Sequence, residues 1–220
     1  DNTAVGNGAL FTNTTASNNT AIGKYALLLN TTGADNVAIG KGALDANTTA
    51  ADNTAVGSNA MTTNTTGTAN VAVGTSSLAS STTSDNNTAV GQASLSQNTT
   101  GFSNVAVGKD AGDSNTTGDK NILIGTNANS NAATGDHAIV IGHDITGSPN
   151  DFSFGKASNI VSNDFDADAN WSRSSDERLK KNITNQSLGL DFINDLRTVK
   201  YNWKPSNELD ASDPQLAHLR

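Results

Sequence analysis

The chain has no cysteine, three prolines and few aromatics, which make up 5% of its 220 residues. Without cysteine there are no disulfides and no thiolate metal site. So few large side chains cannot fill a compact core for this length, whereas a narrow interior needs only small ones. Glutamate is absent from residues 1–142. That argues against the carboxylate pairs with which glycan-cleaving enzymes work, because the Asp residues there form no distinctive pair. No apolar run approaches about 18 residues, so no transmembrane helix and no membrane insertion are expected. The net charge of −8 and the missing basic stripe exclude a nucleic-acid surface. No secretory leader is recognisable, and the chain starts inside a repeat, as a fragment would.

What is present is a beat. The segment Asn2-Thr-Ala-Val-Gly6 returns every 17 residues, with its glycine at 6, 23, 40, 57, 74, 91, 108, 125 and 142. A fixed period of this length, free of insertions, means a solenoid of stacked coils. The fold class expected is therefore mainly β: a parallel β-solenoid, or β-roll, of 17-residue coils over residues 1–142. Residues 2–6 and their copies should be strands, with alternating faces. Val5, Ile22, Ile39, Val56, Val73, Val90, Val107, Ile124 and Ile141 form one ladder. Leu10, Leu27, Leu44, Met61, Leu78 and Leu95 form a second. Both ladders are expected inside the coil. Ala4, Ala21, Ala38, Ala55, Ala72, Ala89 and Ala106 then face outward, small enough for close approach by another backbone.

The invariant glycine suits a tight corner with positive φ. The asparagines at 2, 19, 36, 53, 70, 87, 104 and 121 suit a ladder of side-chain amides running from coil to coil. Asn-Thr-Thr, at 13–15, 30–32, 47–49, 64–66, 98–100 and 115–117, should be the return turn or a short polar strand. Gly33, Gly67 and Gly101 precede Val37, Val71 and Val105, while the intervening coils carry Ala or Ser and then Thr54 or Thr88. Over that stretch the true unit is 34 residues, two unlike coils. Such a thin rod needs caps, and association of identical rods is the natural remedy.

At Asn36-Val-Ala-Ile-Gly40 the chain resembles the head repeats of trimeric autotransporter adhesins, which form a parallel β-roll in a homotrimer; phage tail fibres carry similar runs. The resemblance covers roughly residues 1–142, and the period here is longer than is usual in those heads. The Asn-x-Thr triplets read as turn chemistry in preference to glycosylation sites. Asp35, Asp52, Asp85 and Asp119 read as solvated turn residues in preference to calcium ligands. His137 and His143 read as polar turn residues in preference to a metal pair. No cofactor and no metal site are expected.

After Gly142 the period fails. Residues 143–174 concentrate Phe152, Phe154, Ile160, Val161, Phe165 and Trp171. Phe152-Ser-Phe154 alternates as a strand would. This segment is expected to be an intertwined β junction that ends the shaft.

Residues 175–220 open a different polypeptide. Ser174-Ser-Asp-Glu-Arg-Leu-Lys-Lys-Asn-Ile183 resembles the start of the intramolecular chaperone autoprocessing domain at the C-termini of phage tail fibres, tailspikes and endosialidases. The match continues through Gly189-Leu-Asp-Phe-Ile-Asn-Asp-Leu196 and Val199-Lys-Tyr-Asn-Trp-Lys204. The resemblance implies the beginning of a small α+β domain that drives trimerisation and then cuts itself off. By the motif, the cleaved bond is Ser174–Ser175, with Ser175 as nucleophile and Lys180 as base. The chemistry is sound: a Ser hydroxyl needs a neighbouring base, and burial or the charges of Arg178 and Lys181 would lower the Lys180 pKa. The bland reading is a capping box at Ser174-x-x-Glu177, with Ser175 a simple N-cap. Leu188, Phe192, Ile193 and Leu196 have helical spacing, and Val199, Tyr201 and Trp203 alternate as a strand.

These readings imply a structural role: a homotrimeric viral fibre, most simply that of a bacteriophage, present on the virion outside the host cell. Its partners would be two further copies of itself and a host cell-surface receptor. The alternative is a bacterial trimeric surface adhesin, which would continue into a coiled-coil stalk and membrane anchor. An enzyme acting on external glycans ranks below both.

Overall fold

The computed structural model describes residues 1–166. Among them are strands and turns and no helix. Strands of three residues recur at the predicted place in every coil: β1 (Thr3–Val5), β2 (Thr20–Ile22), β3 (Val37–Ile39), β4 (Thr54–Val56), β5 (Val71–Val73), β6 (Thr88–Val90), β7 (Val105–Val107) and β8 (Ile122–Ile124). They stack in parallel, in chain order, with Thr20 opposite Val37 and Ile22 opposite Ile39. The other sides of the coil are also tied to the next one. The Leu27 N–H donates to the Ala43 carbonyl at 3.0 Å and the Thr31 N–H to the Thr48 carbonyl at 2.9 Å. The mainly-β parallel solenoid read from the repeat is therefore the observed fold.

The sheet does not stop with the 17-residue period. After β9 (Asn129–Ser130), β10 (Ile139–His143) pairs with β8 in the same register. Beyond β11 (Thr146–Gly147), which pairs with β9, β12 (Asp151–Lys156) joins β10 in parallel, with Gly155 opposite Gly142. The chain has made one more coil, shortened to the 13 residues from Gly142 to Gly155. Then it reverses through Ala157-Ser158, and β13 (Asn159–Asp164) lies antiparallel on β12. A hairpin thus closes the end of the stack.

Each coil turns through left-handed backbone. In the second coil Gly23 has φ 136°, Tyr25 62°, Leu27 49° and Asp35 59°. The glycine has two reasons to be glycine. Its φ is one that side chains avoid, and a Cβ on Gly23 would lie 2.5 Å from the Gly40 carbonyl oxygen of the next coil. A leucine in this region costs roughly 1–2 kcal/mol, which full burial of its side chain, worth about 1.5–3 kcal/mol, offsets.

The interior corrects one sequence expectation. Leu27, Leu44, Met61, Leu78 and Leu95 are fully buried, as expected, but their companions are Ala21, Ala38, Ala55, Ala72, Ala89 and Ala106. The Val/Ile ladder expected inside lies outside, and the Ala ladder expected outside lies inside. Strand alternation puts the two on opposite faces, but volume decides which faces in: the leucine column leaves room opposite it for only a methyl group. Where the column changes, its partner changes too. Gly112 takes the leucine position, and Leu123 takes the alanine position, with a Cβ on Gly112 falling 2.8 Å from Leu123 Cδ1. In the next coils Val140 and Ile145 are the larger buried apolar side chains, beside Ala128 and Ala138.

Buried amides form the rest of the core. The Asn36 N–H donates to Asn19 Oδ1 at 3.0 Å, and its Nδ2 donates to the Ala50 carbonyl at 2.9 Å. This pattern recurs at Asn53, Asn70, Asn87 and Asn104. The amide ladder read from the sequence is observed. A second ladder was not foreseen. From the second copy on, the Asn of each Asn-Thr-Thr is also buried, with Asn47 Nδ2 donating to Asn30 Oδ1 at 2.9 Å.

Candidate self-association surface

A parallel sheet normally has both faces covered. Here one face is covered by the coil's own interior, and the other points outward. Alternation along each strand gives that outer face two columns. The first is Thr3, Thr20, Val37, Thr54, Val71, Thr88, Val105, Ile122 and Ile139; the second is the Val/Ile ladder from Val5 to Ile141. β12 prolongs both, with Phe152 opposite Ile139 and Phe154 opposite Ile141. The two rings lie with centroids 5.4 Å apart. Side chains in both columns are half-buried or exposed, Val5 at 58% and Ile141 at 39%.

None of these side chains is charged. The face is two side chains wide and ten parallel strands long. At about 4.8 Å per strand and 3.3 Å per residue, it covers on the order of 500 Å², within the range at which an exposed apolar patch is often functional. Its borders differ in sign near the first coils. Asp35 and Asp52 precede the strands on one border, and Lys24 and Lys41 follow them on the other; all four are exposed. Lys24 Nζ sits 4.7 Å from the centre of the Tyr25 ring.

The hydroxyls separate into two groups. One group bonds within the stack: Thr31, Thr48, Thr65, Thr82 and Thr99 each donate to the threonine carbonyl of the next coil, at 2.9–3.2 Å. The outer-face hydroxyls of Thr20, Thr54 and Thr88 make no hydrogen bond among the described residues.

The polar residues singled out in the sequence are spread along the stack. Asp85 Oδ1 accepts from the Thr68 N–H at 2.6 Å and from the Thr68 hydroxyl at 3.0 Å. Asp119 accepts from the Phe102 N–H at 2.9 Å. Asp35 accepts from Asn18 Nδ2 at 3.0 Å. These carboxylates cap backbone and amide donors of the neighbouring coil. His143 Nδ1 lies 2.9 Å from Asp144 Oδ2, and His137 occupies a left-handed corner with φ 58°. No group of three or more His, Cys, Asp or Glu suited to a metal ion occurs among the described residues.

Ser174, Ser175 and Lys180 lie outside the described residues, as do the capping box at Ser174–Glu177, the expected helix over 187–197 and the expected strand at Val199–Trp203. Residues 175–217 match the family model described as chaperone of endosialidase. No curated protein matches the chain. No solved structure matches it either.

Proposed function

We propose that the chain is the distal shaft of a homotrimeric bacteriophage tail fibre, displayed on the virion and used in host attachment. Its C-terminal segment is the start of the chaperone that assembles the trimer. The observation that carries this reading is one of succession. In one chain, a solenoid with a bare apolar face is followed in sequence by residues 175–217, which are similar to the chaperone of endosialidase. The same match favours the fibre over the bacterial adhesin, because an adhesin continues into a stalk and anchor instead.

In this reading the outer Val/Ile columns of three copies meet about a common axis, and the receptor is met by another part of the surface. The acidic border at Asp35 and Asp52 then faces the basic border at Lys24 and Lys41 of the neighbouring copy. Such complementarity steers association and fixes orientation more than it adds affinity. A parallel sheet left half bare gains its second cover this way.

The chaperone segment cuts at Ser174–Ser175. Ser175 Oγ attacks the carbonyl carbon of Ser174, and Lys180, neutral in its site, takes the hydroxyl proton. It returns that proton to the departing Ser175 amine as the bond breaks. Water then hydrolyses the ester on Ser175 Oγ, which leaves a carboxylate on Ser174 and a free amine and hydroxyl on Ser175.

Expression of the full-length gene with and without Ser175→Ala tests this. Native protein should yield a shaft product ending at Ser174 by mass spectrometry. The variant should remain a single uncut chain that still forms trimers. An uncut native chain, or a variant cut at the same bond, would remove the cleavage role; a native chain that stays monomeric would remove the fibre reading itself.

A further inference from the structure

The first outer column alternates: Thr20, Val37, Thr54, Val71, Thr88, Val105. All six sit on the same face of consecutive strands in strict register. The second outer column shows no such alternation and is Val or Ile throughout, from Val5 to Ile141. The hydroxyls therefore fall on every second coil of the first column, in step with the two-coil unit. These hydroxyls do not serve their own chain. Those of Thr20, Thr54 and Thr88 have no partner among the described residues, while Thr31, Thr48, Thr65, Thr82 and Thr99 all bond to the adjacent coil.

We infer that this Thr/Val alternation sets the axial register in which identical copies of the chain pack against one another through the outer face. The inference rests on the self-association proposed above and adds what selects the alignment. Along this face every coil looks nearly like the next, so copies that slide by one coil, about 4.8 Å, would keep almost all their apolar contacts. Weak specification of register is the known hazard of such faces. The alternation removes the degeneracy. In the aligned assembly three valines meet at one level and three threonines at the next. Three hydroxyls around an axis can each donate to the next and leave none unmet. After a one-coil slip, threonine meets valine at every level, and each hydroxyl is desolvated with no acceptor, which is the costly case. A two-coil slip restores the pattern in the middle. It then sets Ile122 and Ile139 of one copy against Val and Thr levels of another and leaves coils at the ends uncovered.

The occupant is a copy of the same chain because of period and charge. A partner with an irregular surface cannot meet a face that repeats at every strand, whereas a copy meets it at each one. Near the first coils the two borders carry opposite signs, Asp35 with Asp52 against Lys24 with Lys41, and there they suit a closed ring of like copies, each turning one border to its neighbour's other. The Gly or Ala/Ser that precedes each strand varies with the same two-coil rhythm, Gly33 before Val37 and Ala50 before Thr54. A test must therefore change the outer column and leave that corner alone.

Thr and Val are near in shape, so the column can be inverted with little disturbance to the coil. The inverted chain carries Thr20→Val, Val37→Thr, Thr54→Val, Val71→Thr, Thr88→Val and Val105→Thr. Native and inverted full chains with different tags are co-refolded, annealed, and sorted by native mass spectrometry. Each should form trimers alone, while mixed trimers should fall roughly tenfold or more below their statistical share, since each factor of ten needs only about 1.4 kcal/mol. Mixed trimers at the statistical share would overturn the register inference and leave the self-association reading standing. A native chain that is monomeric in the same measurement would overturn both. If the inverted chain does not assemble alone, the pair Thr54→Val with Val71→Thr gives the same comparison with a depletion of a few-fold, and statistical mixing there overturns the inference equally.

Discussion

Ser81 breaks the inner amide ladder. Where two Asn of this column are stacked in the middle of the shaft, Nδ2 donates to Oδ1 of the coil before, as Asn64 does to Asn47 at 3.2 Å and Asn115 to Asn98 at 3.0 Å. Serine has no amide to extend, and its hydroxyl is held 2.6 Å from that of Ser84. Asn64 Oδ1 is consequently buried with no partner. The two serines belong together, because the position of Ser84 is Ala or Gly in the other coils with a complete ladder. Ser81→Asn combined with Ser84→Ala should therefore stabilise the shaft by about 1–3 kcal/mol, the cost of an unmet buried polar group, read as a raised denaturation midpoint. Ser81→Asn alone should gain less, since it strands the Ser84 hydroxyl. Equal gains from the single and double changes would contradict this account. The same logic covers Asn115, whose Oδ1 faces a coil with Ala132 in that column and is also unmet.

At the scale of the element, the core exchanges volume between columns. Leu123 occupies a place held by alanine in earlier strands, and Gly112 one held by leucine in earlier coils. Leu123→Ala should cost about 2–5 kcal/mol through the cavity it leaves. Gly112→Leu alone should also destabilise, because its side chain would enter space held by Leu123 and Leu95. The double change restores the pattern of the earlier coils, and its cost should be smaller than either single cost. A strictly additive cycle, measured by denaturant unfolding, would show that the two columns do not share a volume.

The closing hairpin carries a different strain. Asp151 of β12 stands opposite Asp164 of β13. Burial first, and then the Asp164 charge, hold the Asp151 carboxyl above the usual carboxylate range. A raised pKa means that the folded hairpin keeps this proton where the unfolded chain has lost it. The stabilising contribution is present in acid and is lost as pH rises through the raised value. At neutral pH, Asp151→Asn should therefore strengthen the hairpin by roughly 0.2–1 kcal/mol, the scale of a cross-strand pair. The gain should fade below the ordinary carboxylate range. Slower amide exchange in β12 and β13 of the variant at neutral pH is the expected sign, and faster exchange would reverse the argument.

At the scale of the whole molecule, the period made the solenoid legible, with its strands, its glycine corners and one amide ladder, because each is a column and columns survive in sequence. The sidedness was not read. Alternation fixed that Ala21 and Ile22 point apart, but hydrophobicity suggested the wrong one for the interior. Thr20, Thr54 and Thr88 held the missing signal. They share a face with the Val/Ile ladder, and that face, turned inward, would have buried a hydroxyl in every second coil. The buried Asn of Asn-Thr-Thr was missed for a related reason: a lone amide in a turn reads as solvated, and only a neighbour at each coil lets it be buried. The shortened coil ending at Gly155 left no mark in the period, although Phe152-Ser-Phe154 did announce its strand.

The central claim is that the outer Val/Ile face joins three copies of the chain. Sedimentation equilibrium compares it most directly in the native protein and in a variant with Val56→Lys, Val73→Lys and Val90→Lys. These positions lie mid-face, outside the core, so the coil should keep its circular dichroism spectrum. The native sample should have three times the mass of its own denatured chain, and the variant should have the mass of one. A native protein at one chain mass, or a variant that remains trimeric, would contradict the account.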